Sequence, residues 1–361
     1  MHSYVKTFCK MSAALLLFSV FLPLRLLTQS GENSGKGIVK VMTYNANEGS
    51  DFTEVLSAQS LPDFLAAVQI TLNSVQASNP PLRMKAIAHQ IKISQPDLVG
   101  LEEVTTWRVG PGPNPTPVLY DMLQELLDAL NAQGQHYKAV AVVNQFQLQG
   151  PLPDFVNFVS ATDTDVLLAR SDEGDLQLSN VQSSKFSTLL TFPTLIGPLT
   201  ILRGWGSVDA TLHGQSFRFI VTHLENVVPQ VPATLLVQEA QAFELISGPA
   251  NTSFPVIIAG DFNADAANPN DLTFATYQEM LQAGFQDAWA TTHPRDPGLT
   301  WQLVDSSTVN TATQRIDFIF SRGPVRALTS RLAGAAPHDR TGGLWPSDHA
   351  GVRAVLQVGS E

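Results

Sequence analysis

Short apolar runs along this chain repeatedly end on polar residues, and segments with helical spacing lie between them. Residues 37–45 (GIVKVMTYN) alternate around Val39, Val41 and Thr43 and close on Asn45, which predicts a strand with one buried face. Residues 82–94 carry Met84, Ile87, Ala88, Ile91 and Ile93 at helical spacing, and Gln95-Pro96-Asp97 ends that helix. Leu98 to Leu101 then predicts a short buried strand that closes on Glu102 and Glu103.

The alternation continues downstream. Residues 118–131 predict an amphipathic helix with Gly134 just past its end, and residues 137–143 and 165–169 predict strands. Residues 207–212 and 216–222 flank His213-Gly214-Gln215, a hairpin signal. Residues 235–246 predict a helix capped by Gly248, and strands are predicted at 256–259, 316–320 and 352–358. Two stretches, 48–81 around a weak helical segment and 144–163 with Pro151 and Pro153, read as long loops or insertions. Strands and helices are intermixed and hairpins are present, so the expected class is α/β with a mixed sheet.

Composition changes this picture mainly at the N-terminus. Lys6 and Lys10 precede an apolar run from Ala13 to Leu27, broken by Pro23 and Arg25 and followed by a polar stretch. This predicts a signal peptide over residues 1–30, or an uncleaved signal anchor, with an exported protein beyond it. The single cysteine, Cys9, lies inside that leader. A mature chain over residues 31–361 would therefore have no disulfide, thiolate metal site or Cys nucleophile, and any metal would sit on oxygen or imidazole. Loss of residues 1–30 removes Lys6, Lys10 and Arg25 and no acid, which moves the formal charge from −11 to −14. Such a body does not attract phosphate backbones in general, although a divalent cation can reverse the sign locally.

The candidate chemistry sits where the strands end. Asn45 follows VMTY, Glu103 follows VGLE, His223 follows FIVT, Asp261 and Asn263 follow VIIAG, Asp317 lies within RIDFIF, and Asp348 and His349 follow LWPS. Each alone has an ordinary reading: GDFN as a turn, Glu103 on a solvated face, His223 as a satisfied rim histidine, Asp317 as the partner of Arg315. Gathered at one end of a sheet, so many polar groups would be costly without a charge to serve, and a hard cation would supply it.

The ordered set TYN, PDLVGLEEV, VTHLEN, IIAGDFNAD, RIDFIF and SDHAGV resembles the endonuclease/exonuclease/phosphatase superfamily, which includes deoxyribonuclease I, abasic-site endonucleases, bacterial sphingomyelinases and inositol polyphosphate 5-phosphatases. The resemblance runs from about residue 37 to residue 358. It implies a four-layered α/β sandwich, two packed mixed sheets flanked by helices. It implies Glu103 as the principal metal carboxylate, with Asn45 adjoining, Asp348 near the ion, and Mg²⁺, Mn²⁺ or Ca²⁺ as cofactor. It also implies that Asp261 and Asn263 orient water and phosphoryl oxygens. His349, oriented by Asp317, would be the general base or transition-state stabiliser, and His223 would stabilise the phosphorane or leaving oxygen.

The substrate is less defined. Arg170 in DVLLAR and Arg203 in LRGWGS are candidate phosphate contacts beside Asn45 and Asn263. The expected substrate is a phosphodiester, in a nucleic acid or a phospholipid headgroup, and the expected protein is a monomer with no obligate protein partner. An exported nuclease or general phosphodiesterase is the first reading. A sphingomyelinase-like phospholipase C, with an apolar hairpin from residues 146–158 or 186–196, is the alternative. A binding module that has lost the chemistry is the alternative of another class.

Overall fold

The computed structural model describes residues 37–195 and 197–359. The leader expected over residues 1–30, with Cys9 in it, lies outside the described residues. The first strand, β1 (Ile38–Asn45), precedes three helices, α1 (Thr53–Ser57), α2 (Leu61–Ser78) and α3 (Pro80–Ser94), and then β2 (Leu98–Glu102). Next come β3 (Thr106–Pro111), β4 (Val118–Asp121), α4 (Met122–Ala132) and the long hairpin of β5 (Tyr137–Pro151) and β6 (Asn157–Arg170). After β7 (Gln177–Lys185) follow the small pair β8 (Leu190–Thr194) and β9 (Gly197–Ile201), and then the hairpin β10 (Gly204–Leu212) and β11 (Gln215–His223). The chain continues through α5 (Ala233–Ser247), β12 (Val256–Asp261), α6 (Phe274–Gln282), β13 (Gln286–Asp287) and α7 (Ala288–Thr292). It closes with β14 (Asp317–Arg322), β15 (Val325–Ala333) and β16 (Gly351–Val358).

Two mixed sheets form the middle of the molecule. One runs β15-β16-β1-β2-β6-β3-β4, with β5 also on β6, and the other runs β13-β14-β12-β11-β10-β7. Their facing sides bury Val39, Val41, Leu167, Phe219, Val221, Ile257 and Ile319 in one shared core. The outer face of the first sheet packs on α3 and α4 through Met84, Ile87, Val99 and Leu126. That of the second packs on α5 and α6 through Leu245, Ile258, Met280 and Phe320. The result is the expected four-layered sandwich. Small residues let the sheets approach: a Cβ on Gly100 would lie 2.9 Å from Val221 Cγ2, and one on Gly206 would lie 3.2 Å from Ala141 Cβ.

Both predicted loops are regular structure. Within 48–81, α2 runs for 18 residues, capped by Ser60 Oγ, which accepts from Asp63 N, with Pro62 in the first turn. The Ser, Pro and Asn residues that suggested a loop are its caps, and Phe64, Val68, Leu72 and Val75 form its buried stripe. Within 144–163, β5 and β6 stay paired as far as Pro151 and Phe158, so only residues 152–156 turn. Gln147 is an exposed face of that ribbon, while Phe146 packs with Phe52 and Phe64. The helix expected from residue 118 begins at Met122. The first four residues are β4, and Asp121 caps the helix by accepting from Gln124 N at 3.1 Å. Among the described residues, no helix is long and apolar enough to cross a membrane.

Candidate active site

Strand register alone brings the polar strand ends together. β1 and β2 are parallel with Asn45 opposite Glu102, and β11 and β12 are parallel with His223 opposite Asp261. β14 runs antiparallel to β12 with Asp317 opposite Asp261, and β16 starts two residues after His349 beside β1. Parallel strands therefore end, and antiparallel strands begin, at one edge of both sheets. Asn45 Nδ2 spans the two sheets, donating to Glu103 Oε1 at 2.9 Å and to Asp261 Oδ2 at 3.1 Å.

Glu102 and Glu103 are adjacent, yet they go to different places. Glu102 keeps strand parity, points into the inter-sheet core without exposure and accepts from Thr43 Oγ1 at 3.0 Å. Burial, then Asp317 and Asp261, push its carboxyl well above the ordinary range, against that hydrogen bond. Glu103 takes a left-handed φ of 57°, a conformation that costs a non-glycine residue about 1 kcal/mol or more. That turn carries its carboxylate out of the strand plane, where Asn45 Nδ2 and Glu48 N (3.0 Å) hold its two oxygens. Asn263 is likewise left-handed at φ 49°, and its backbone N–H donates to Asp261 Oδ1 at 2.8 Å.

His349 and Asp317 form a buried pair. Nδ1 of His349 donates to Asp317 Oδ2 at 3.0 Å, and Asp261 Oδ2 lies 3.9 Å away. Burial lowers the basicity of His349, but Asp317, its hydrogen bond, Asp348 and Asp261 outweigh it and hold the imidazole well above its usual range. Burial and Asp317 raise Asp261 to about 7. Asp348 accepts from Trp301 Nε1 at 3.3 Å, and the His349 backbone N–H donates to Ser347 Oγ at 3.0 Å. The loop before them is anchored to α3, because Arg83 Nη1 donates to Trp345 O at 2.8 Å while its Nη2 pairs with Asp305. Trp345 is fully buried there and packs beneath the loop.

His223 lies between two groups. Arg203 Nη1 is 2.7 Å from its Nδ1, and Asn263 Nδ2 is 3.1 Å from its Nε2. Burial, then Arg203 and His349, hold this imidazole well below its usual range, so the two site histidines are driven in opposite directions. Arg203 thus joins the site through His223. Arg170 does not join it. It follows the residue paired with Leu98, at the opposite end of β2 from Glu102, and binds Asp172 at 2.8 Å. The expected phosphate contact there is corrected, because β6 runs antiparallel to β2 and five residues of strand, roughly 15 Å, separate its last residue from the site.

Several site residues had no sequence signal. Asp163 and Asp165 in β6 have no exposure, Gln145 Nε2 donates to Asp165 Oδ2 at 2.5 Å, and Thr105 Oγ1 donates to Asp163 Oδ1 at 2.8 Å. Burial, then Glu103, raise Asp163 to about 7, and burial, then Asp163, hold Asp165 well above the ordinary carboxylate range. Glu48 and Glu225 complete the acidic wall around Arg203. A run such as ATDTDVLLA reads locally as a polar strand edge; only pairing on both sides buries it.

The donor set suits a hard divalent cation. It is oxygen and imidazole throughout, carboxylates outnumber cations, and Glu48 Oε2, Asp163 Oδ2, Asp165 Oδ1 and Glu225 Oε2 are buried without a hydrogen-bond partner. Ligand atoms of Asp261, Asp317 and His349 also lie within 4.8 Å of one another. The direct His349–Asp317 hydrogen bond makes that trio a proton-handling pair with a neighbour rather than a metal cage.

A family model described as Endonuclease/Exonuclease/phosphatase family matches residues 42–349. No curated protein shows a significant sequence match to the chain. Among solved structures, an endonuclease/exonuclease/phosphatase from Bacteroides vulgatus is similar at 17% identity and TM-score 0.56, over 90% of this chain and 100% of that one. D. rerio TDP2 complexed with single strand DNA product is similar at 17% identity and TM-score 0.51, over 89% and 99%. The Bacteroides thetaiotaomicron mannosyl-6-phosphatase Bt3783 is similar at 16% identity and TM-score 0.52, over 88% and 99%.

Proposed function

The chain belongs to the endonuclease/exonuclease/phosphatase family, and from that premise we propose that this phosphoric ester hydrolase is a metal-dependent phosphodiesterase, an exported nuclease or general phosphodiesterase using in-line attack of water. The observation that carries the reading is the convergence of the His349–Asp317 pair with the Asn45–Glu103–Asp261 chain of hydrogen bonds at one sheet edge. A single base and a single cation-binding carboxylate, held at fixed separation, meet the two main needs of phosphodiester hydrolysis.

A divalent cation, Mg²⁺ first and Mn²⁺ or Ca²⁺ as alternatives, would be held by Glu103 with Asn45 and Asp348 beside it, and when bound neutralises charge on phosphoryl and leaving oxygens. Asp317 fixes the Nδ1–H form of His349, so Nε2 is the atom left to take a proton from the attacking water. Asp261 and Asn263 orient water and phosphate, and His223 donates to the phosphoryl group. Because His349 is held well above its usual range, its basic form is reached only as pH rises.

The TDP2 structure is a complex with a single strand DNA product and Bt3783 is called a mannosyl-6-phosphatase, so the fold accommodates different substrates and does not by itself choose one here. A second reading rests on two hairpin tips. Phe155 and Val156 are each 61% exposed at the β5–β6 turn and Leu195 is 46% exposed beyond β8, which suits a sphingomyelinase-like phospholipase C. The test is turnover of bis-p-nitrophenyl phosphate, plasmid DNA and sphingomyelin vesicles by the purified protein, with Mg²⁺ and with EDTA. Cleavage of the first two in Mg²⁺ supports the first reading, and preference for vesicles supports the second. No turnover of any of the three would overturn both. Export is part of the proposal, and N-terminal sequencing of secreted protein would test it.

A further inference from the structure

We propose that Arg203 is a positioning residue that fixes His223 in its Nε2–H form, so that His223 and Asn263 present two donors to one phosphoryl oxygen. The inference deepens the phosphodiesterase reading and rests on it for the identity of that oxygen.

A guanidinium has five N–H donors and no acceptor. Its Nη1 lies 2.7 Å from His223 Nδ1, so Nδ1 must offer a lone pair and the proton of the neutral ring must sit on Nε2. The other side of the ring then shows an unusual contact. Asn263 Nδ2 lies 3.1 Å from Nε2, and that amide nitrogen also donates to Leu224 O at 3.1 Å. Turning the amide over would place its oxygen against the Leu224 carbonyl, so the nitrogen assignment stands. Two donor nitrogens therefore lie 3.1 Å apart, and the Nε2 proton has no protein acceptor at hydrogen-bond distance; the nearest carboxylate oxygen, Asp261 Oδ2, is 3.6 Å from Nε2. A pair of converging donors is the arrangement that stabilises an oxygen gaining negative charge.

Arg203 is built to hold this state. Its carbonyl accepts from Phe186 N at 2.9 Å, and Leu202 N before it donates to Gln145 O at 2.5 Å. Gly204 after it lies so close to β7 that a Cβ would meet Ser184 O at 2.3 Å. The carboxyl groups of Glu225, Asp165, Asp163 and Glu103 surround the guanidinium and favour its charged form. An acceptor that would favour the other tautomer lies close by. Asp165 Oδ1 is 3.8 Å from His223 Nδ1 and has no hydrogen-bond partner. Without Arg203, Nδ1–H would donate to Asp165, Nε2 would become an acceptor, and Asn263 Nδ2 would donate to it. The two-donor hole would then close into a His223–Asn263 hydrogen bond.

The direct test is the tautomer. Protein labelled with ¹⁵N-histidine, its His223 signals assigned by their loss in His223→Gln, should show a bare Nδ1 and a protonated Nε2 near neutral pH in long-range ¹H–¹⁵N spectra. Arg203→Met should reverse the two nitrogens and lower kcat by about 10²-fold with a much smaller change in KM, the size expected for one lost oxyanion donor. Arg203→Lys, which still offers a donor, should restore the Nε2–H signal and most of kcat. A protonated Nδ1 in the wild type overturns the proposal, whether or not the Arg203→Met protein folds. So does an Arg203→Met protein whose tautomer or kcat is unchanged. Because the wild-type spectrum needs no substrate, failure of the phosphodiesterase reading and failure of this one give different results.

Discussion

At the scale of single residues, the two site histidines differ through their neighbours rather than their own chemistry. His349 has a carboxylate at Nδ1 and His223 has a guanidinium there. His349→Ala should lower kcat on bis-p-nitrophenyl phosphate by about 10² to 10⁴ while the circular dichroism spectrum is kept, the usual share of general-base catalysis. Activity should climb with pH through a midpoint above the ordinary histidine value, because Asp317 outweighs burial and retains the proton on His349. Asp317→Asn should lower that midpoint as well as the plateau, and a kcat/KM profile that is flat or falls from pH 6 to 9 would remove His349 from the role of base. Glu103→Gln keeps only one of the two acceptor oxygens used by Asn45 and Glu48 N and loses the charge, so Mg²⁺ should no longer raise the melting temperature and turnover should drop to the EDTA level. Equal turnover of Glu103→Gln and wild type would exclude it as the metal ligand. The residues at strand ends were legible because a strand and its last polar residue are local in sequence. Arg170 and Arg203 were not separable, since both follow apolar runs and only strand direction sends one of them away.

At the scale of elements, the site depends on how closely two parallel strands run. A Cβ on Gly260 would lie 2.1 Å from the Thr222 carbonyl oxygen, one residue before the His223–Asp261 pair. Gly260→Ala should therefore cost about 1–3 kcal/mol in urea denaturation and reduce turnover as well, because β11 and β12 must separate at the residues that carry His223 and Asp261. Retained stability and full activity in that variant would show that the strand spacing is not what places the pair. Elements were legible where period and end signals agreed, as in β1, α3, the β10–β11 hairpin and α5. They were not where cap residues resembled loop composition, as around α2, or where a ribbon alternated glutamine with apolar residues, as in β5. In both cases the missing information is which face the rest of the chain covers.

At the scale of the whole molecule, the protein buries more carboxylates at the site than its own cations can match. Asp163 and Asp261 are each raised from 3.8 to about 7, chiefly by burial. Between those values the folded state binds more protons than the unfolded state, so their contribution is fully present below about pH 4 and is lost as pH rises through 7. The metal-free protein should accordingly gain more from Mg²⁺ at pH 8 than at pH 5, measured as the shift in melting temperature on replacing EDTA with the ion. A larger shift at pH 5 would reverse the sign and sink the account. The α/β class, the ordered strand-end residues and a donor set of oxygen and imidazole that suits a hard cation could be read from the sequence, because periodicity and side-chain type are properties of short segments. Only the tertiary structure decided that Glu102 is core and Glu103 is site, that Arg203 belongs beside His223, and that Asp163 and Asp165 are buried. Each of those depends on strand direction, register and the approach of a second sheet, and no short segment contains them.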